Sequence, residues 1–131
     1  MSRGKSRKTA YKTYKKGQVL YVDFGKQPRG VQGGIRPAVV VSCDESNHSY
    51  AAQITVCPIS SKLKYSKVHV RLDKSDVSGY HLPKASEILP EDMQTVSKMA
   101  VRGAIGFLSE EKIEQLNEML MRQLGLGRGL A

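Results

Sequence analysis

Between Gly17 and Val101 the chain is a succession of short apolar runs cut by clusters of glycine, proline and polar residues, a pattern that restricts it to a fold of short strands. Gly17 to Phe24 alternates, with Val19, Tyr21 and Asp23 on one side and an apolar set, Leu20, Val22 and Phe24, on the other. Ala38 to Ser42 and Ala52 to Ile59 are nearly continuous apolar runs, which predicts strands buried on two faces. Lys67 to Leu72 alternates again, with Val68, Val70 and Leu72 inward and Lys67, His69 and Arg71 on a basic outer face. Ala85 to Leu89 predicts one more short strand, and Gln94 to Val101 leads into another. Gly25 to Gly34, rich in glycine and polar residues, interrupts the series and predicts a long loop suited to binding. The spacing as a whole predicts a mainly β fold, a small antiparallel barrel that is closed or nearly so.

One helix follows. Ser109 is placed to cap it, Glu110 and Glu111 complement the dipole of its first turn, and Leu108 can staple against Ile113. Ile113, Leu116, Leu120 and Leu124 recur at helical spacing until Gly125, a stripe expected to pack on the core, with Met119 and Met121 widening the apolar surface.

The chain has 131 residues and a net charge of +9, enough for one domain with a real core. Seven of its 21 Lys and Arg residues precede Gly17 with no acidic residue among them, leaving 14 basic against 12 acidic in the remainder. Residues 1–16 are therefore expected to be a disordered basic tail attracted to polyanions, nucleic acid first; 17–125 form the body and 126–131 a short C-terminal tail. No apolar run reaches the length of a membrane span, and the basic start lacks the apolar region of a signal peptide, so a cytoplasmic location is expected. Cys43 and Cys57 have the number and spacing of neither a disulfide framework nor a zinc site.

Two segments carry chemistry. In Gly33-Gly34-Ile35-Arg36-Pro37 a guanidinium stands at the start of a buried strand, its backbone narrowed by the following proline and its approach kept open by the glycines. That is a way to build a phosphate cleft. In Thr55-Val56-Cys57-Pro58-Ile59-Ser60-Ser61 an apolar strand ends in two hydroxyls. Ser60 has no nucleophile elbow or companion lysine around it, so its expected task is hydrogen bonding rather than covalent attack. His48, His69 and His81 lack metal-ligand spacing, and neither a phosphate-binding Gly-Lys loop nor a dinucleotide fingerprint is present. No cofactor and no metal are expected.

The order and spacing of Gly17-Gln18-Val19-Leu20-Tyr21-Val22-Asp23-Phe24, Gln32-Gly33-Gly34-Ile35-Arg36-Pro37 and Val56-Cys57-Pro58-Ile59-Ser60-Ser61 resemble the MazF/PemK family of toxin endoribonucleases from toxin-antitoxin systems, over about Gly17 to Leu124. The resemblance implies an SH3-like barrel with a C-terminal helix, working as a homodimer that cuts single-stranded RNA without metal to 2′,3′-cyclic phosphate and 5′-hydroxyl ends, silenced by a MazE-like antitoxin. It implies Arg36 and Ser60 as the catalytic pair, serine standing where the family usually has threonine. A guanidinium is charged throughout the physiological range, so an electrostatic role suits Arg36 better than proton transfer. The RNA face would comprise Gln32, Gly33, Gly34, Ser61, Lys62, Lys64, Lys67, His69 and Glu91. Gln94 replaces the basic residue the family tends to carry there. Two alternatives stand beside this reading: a CcdB-like toxin of the same fold that poisons a protein such as a gyrase, and a noncatalytic RNA-binding module drawn by its basic tail.

Overall fold

The computed structural model describes residues 10–79 and 82–127. In chain order the strands are β1 (Gln18–Asp23), β2 (Ile35–Val40), β3 (Gln53–Ser60), β4 (Val70–Leu72), β5 (Val77–Ser78), β6 (Ser86–Ile88), β7 (Gln94–Ser97) and β8 (Val101–Leu108), followed by the helix α1 (Glu110–Gln123). Short 3-10 turns at Pro90–Asp92 and Lys98–Ala100 flank β7.

The strands form one antiparallel sheet in the order β4-β6-β3-β2-β1-β8-β5, with β7 pairing β3 beside the main path. The strands at its two ends, β4 and β5, are neighbours in sequence, separated only by a turn in which Asp76 N donates to Asp73 O at 3.1 Å. The sheet therefore curls on itself as an antiparallel half-barrel, the mainly β, barrel-like form predicted. Its curvature creates two cores. Val19, Val39, Cys57, Ile59, Leu72 and Ile88 gather on one side under Leu116 of α1, and Leu20, Val22, Phe24, Ala38, Val40 and Ile54 gather on the other with Tyr14. β1 thus contributes to both cores, Leu20 and Val22 to one and Val19 to the other, while Tyr21 stays exposed, and its pairing with β8 shifts register at Val19/Leu20 and again at Tyr21/Val22.

The helix begins and packs as its sequence predicts. Ser109 Oγ accepts from Lys112 N at 3.3 Å, and Leu116 is buried while Ile113 and Leu120 pack at its margin. Leu124 departs from the expected stripe: it caps the helix and is 52% exposed, because the helix has run past the edge of the core by that point.

Three further expectations change. The outer strand begins at Val70 rather than Lys67, since residues 61–69 make a loop. Neither β5 nor the full β8, whose two glycines break its alternation, is marked by a local apolar pattern. Residues 10–16, expected within a disordered tail, pack on the body: Tyr14 is buried, Tyr11 N donates to Ser49 O at 2.6 Å, and Lys16 Nζ donates to Val41 O at 3.0 Å. Residues 1–9, 80–81 and 128–131, which include most of the basic tail, His81 and part of the C-terminal tail, lie outside the described residues.

Candidate active site

The loop between β1 and β2 is pinched shut at its base, where Gly34 N donates to Gly25 O at 2.8 Å and Phe24 N to Gly34 O at 2.9 Å. Gly34 has φ +74°, a conformation that a side chain would disfavour, and this turn delivers the chain into β2 with Arg36 opposite Val22. Pro37 pairs with Tyr21 on β1 but lies beyond the register joining β2 to β3, so its missing N–H breaks no ladder there. Arg36 is fixed by the loop that precedes it: Nε donates to Gly33 O at 2.9 Å and Nη1 donates to Gln32 Oε1. Two of the predicted site residues are therefore the clamp on a third. The remaining guanidinium N–H groups are left for an anion.

Arg36 borders a cleft of about 300 Å³, shared with Tyr21, Pro37, Ile59, Ser61, Leu82, Pro83, Lys84 and Ser86. The β2–β3 register runs Val40↔Val56, Val39↔Cys57 and Ala38↔Pro58 and ends there; Arg36 lies two residues before Ala38 and Ser60 two residues after Pro58, at adjoining ends of the two strands. Ser60 is only 6% exposed, and its Oγ accepts from Lys62 N at 3.1 Å, which leaves its own O–H to donate. Of the two hydroxyls at the end of β3 it is Ser61, the exposed one, that lines the cleft. Lys62, Lys64 and Lys67 are exposed along the loop that follows.

His69 and Glu91 require a correction. Expected on an open basic face, the His69 side chain is 4% exposed and held between two carboxylates, Nδ1 at 2.9 Å from Glu87 Oε1 and Nε2 at 2.7 Å from Glu91 Oε2. The reason is that the strand starts at Val70, three residues later than expected, so His69 ends a loop whose backbone and side chains meet Glu87 of β6. Glu87 is the hub. It is buried, sits opposite Ser60 in the β3–β6 pairing, and also accepts from Lys64 N at 3.1 Å and Tyr65 N at 2.9 Å. Burial alone disfavours both charges. Hydrogen bonds to Glu91 and Glu87 nevertheless raise the His69 pKa above its ordinary value, and hydrogen bonds from His69, Lys64 N and Tyr65 N lower that of Glu87. Sequence reasoning passed over Glu87 and Lys84. An acid inside the short strand expected over Ala85 to Leu89, followed by Ile88 and Leu89, was the available signal for the first, whereas Lys84 lies in a turn tract with nothing to mark it.

Both cysteines are free, and burial pushes the Cys57 thiol up to about 12, so it holds no thiolate at neutral pH. Among the described residues no group of three His, Cys, Asp or Glu side chains is arranged to hold a metal ion, and no helix is long and apolar enough to cross a membrane.

Residues 15–124 match the family model described as PemK-like, MazF-like toxin of type II toxin-antitoxin system. The chain is 32% identical over 114 residues to endoribonuclease MazF of Staphylococcus saprophyticus, covering 86% of this chain and 92% of that protein. Its fold is similar to crystalline MazF from Deinococcus radiodurans (TM-score 0.73, 22% identity, 88% of this chain and 99% of that one). It is similar also to a mycobacterial endoribonuclease solved in complex with its cognate antitoxin (TM-score 0.68, 20% identity, 88% and 97% covered).

Proposed function

Since the chain belongs to the PemK-like, MazF-like toxins of type II toxin-antitoxin systems, we propose that this endoribonuclease cuts single-stranded RNA at the cleft bordered by Arg36, with Ser60 as its second catalytic group. One observation supports the assignment: Arg36 and Ser60 each stand two residues past the last β2–β3 pair, Ala38↔Pro58, at adjoining strand ends, with Arg36 already anchored by Gln32 and Gly33.

The chemistry suited to these groups is an internal transesterification. The ribose 2′-oxygen bonds to the adjacent phosphorus as the bond from phosphorus to the 5′-oxygen breaks. One proton leaves the 2′-hydroxyl and one reaches the departing 5′-oxygen, so the products are a 2′,3′-cyclic phosphate and a 5′-hydroxyl with no water consumed. Charge builds on the nonbridging oxygens in the transition state. A guanidinium held in place by its own loop is suited to meet that charge, and the Ser60 O–H can donate to one of the same oxygens. Fixing the donors before the substrate arrives matters because no reorganisation is then needed during the reaction. Ser61 and Lys84 line the same cleft and would contact the substrate there, while Lys62, Lys64 and Lys67 would hold phosphates along the strand. In this reading the partners are RNA, a second copy of the chain, and an antitoxin whose acidic segment covers the basic loop, an arrangement for which the antitoxin-bound mycobacterial relative is the support.

The test is cleavage of a long unstructured RNA by purified protein in EDTA, with fragment ends mapped. Discrete cuts ending in cyclic phosphate are expected. Arg36→Ala should lower the rate by at least about 100-fold with the fold intact, and Ser60→Ala by about 10- to 100-fold, the range for losing a transition-state donor. RNA left whole by folded wild-type protein would overturn the reading in favour of a toxin aimed at a protein.

A further inference from the structure

Among the described residues that bear a side chain, Tyr65 is the one with positive φ, at +56°. Such a conformation persists only where surrounding contacts enforce it, and it concentrates where function requires it. Here the enforcing group is Glu87. Its two oxygens take the N–H groups of Lys64 and Tyr65, and the first also meets His69 Nδ1, so a buried carboxylate fixes the backbone turn beneath Tyr65. The ring gains nothing for the core from this arrangement, being 71% exposed. It lies instead against Arg71, whose Cζ is 5.3 Å from the ring centroid.

A strained backbone that turns a ring outward is poor design for stability and good design for presenting a flat surface. Arg71 braces that surface from the side, and exposed Lys62, Lys64 and Lys67 supply phosphate-binding charge around it. The same Glu87 whose side chain holds Tyr65 is the cross-strand partner of Ser60, so the ring and the proposed catalytic hydroxyl are linked through one residue. We propose that Tyr65 is a stacking platform for an unpaired nucleobase of the RNA substrate, beside the scissile phosphate. The proposal rests on the reading of the chain as an RNA-cleaving toxin and adds a subsite to it. Stacking on an aromatic ring is tolerant of base identity, so this platform would add affinity more than sequence choice.

The test combines steady-state cleavage with stability. Tyr65→Gly removes the ring and relieves the positive φ, so it should melt no lower than wild type while KM for RNA rises about tenfold and kcat stays within about twofold. That tenfold corresponds to about 1.4 kcal/mol, within the range for one stacked base. Tyr65→Phe should restore KM, because the ring and not the hydroxyl does the stacking. With a short RNA made uncleavable by a 2′-O-methyl group at the cut site and labelled with 2-aminopurine, wild type should quench the label at one position and Tyr65→Gly should not. An unchanged KM and unchanged quenching in Tyr65→Gly would overturn the platform even if antitoxin binding weakened, since the ring would then serve a protein partner. Failure of wild type to cut RNA at all would instead remove the functional reading beneath it.

Discussion

His69 between Glu87 and Glu91 makes stability depend on pH in a predictable direction. The raised pKa of His69 means that its protonated form is favoured by folding. Its contribution is complete below the unfolded value, near 6.5, and fades as pH climbs through the higher folded one. Glu87 runs the other way: its contribution is complete above the unfolded value, near 4.5, and is lost as pH falls through the depressed folded one. Thermal midpoints should therefore peak between about pH 4.5 and 6.5 and decline on the alkaline side, a limb that His69→Gln flattens. A midpoint that rises steadily from pH 6 to 9 in wild type would contradict the assignment. At this scale Arg36 was legible in advance because glycines and a proline around it leave few conformations. His69 and Glu87 were not, since a period-two pattern assigns a side chain to a face without saying what lies across from it.

Close approach of two elements accounts for a glycine that periodicity could not interpret. A Cβ at Gly106 of β8 would fall 2.0 Å from Ser78 O of β5, whereas one at Gly103 would find only Tyr21 Cδ2 at 4.0 Å. Gly106→Ala must push backbone from backbone at the seam where the sheet's last strand attaches, and it should cost about 1–3 kcal/mol in urea unfolding. Gly103→Ala should stay within about 0.5 kcal/mol of wild type. Equal effects of the two would mean that β5 does not sit on β8 as described. The strands with strong apolar content, β1 to β3, and the capped helix were readable because burial and capping are written in local residue types. β5, two residues long, and β8, interrupted by glycines, are strands only because neighbours accept their hydrogen bonds.

The N-terminal segment is joined to the body through Lys98, whose buried Nζ donates to Lys12 O at 2.8 Å, His48 O at 2.9 Å and Asn47 O at 3.3 Å, with the rings of Tyr11 and Tyr14 each 5.9 Å away. Lys98→Met keeps the methylene stem and strands those carbonyls, so a loss of about 1–3 kcal/mol is expected together with faster proteolysis near residues 10–16. Cleavage there at the wild-type rate would show that the segment is held by other contacts. By itself the sequence determined the class of fold, the order of its principal strands, the helix and its cap, and the arginine that borders the cleft, because alternation, turn residues and capping are local. Only the tertiary structure decided that residues 10–16 belong to the body, that Arg36 and Ser60 stand at adjoining ends of neighbouring strands, and that a buried glutamate holds His69 and Tyr65 in place. Each of those depends on groups far apart in the chain meeting at one point, and a linear pattern holds no term for that distance.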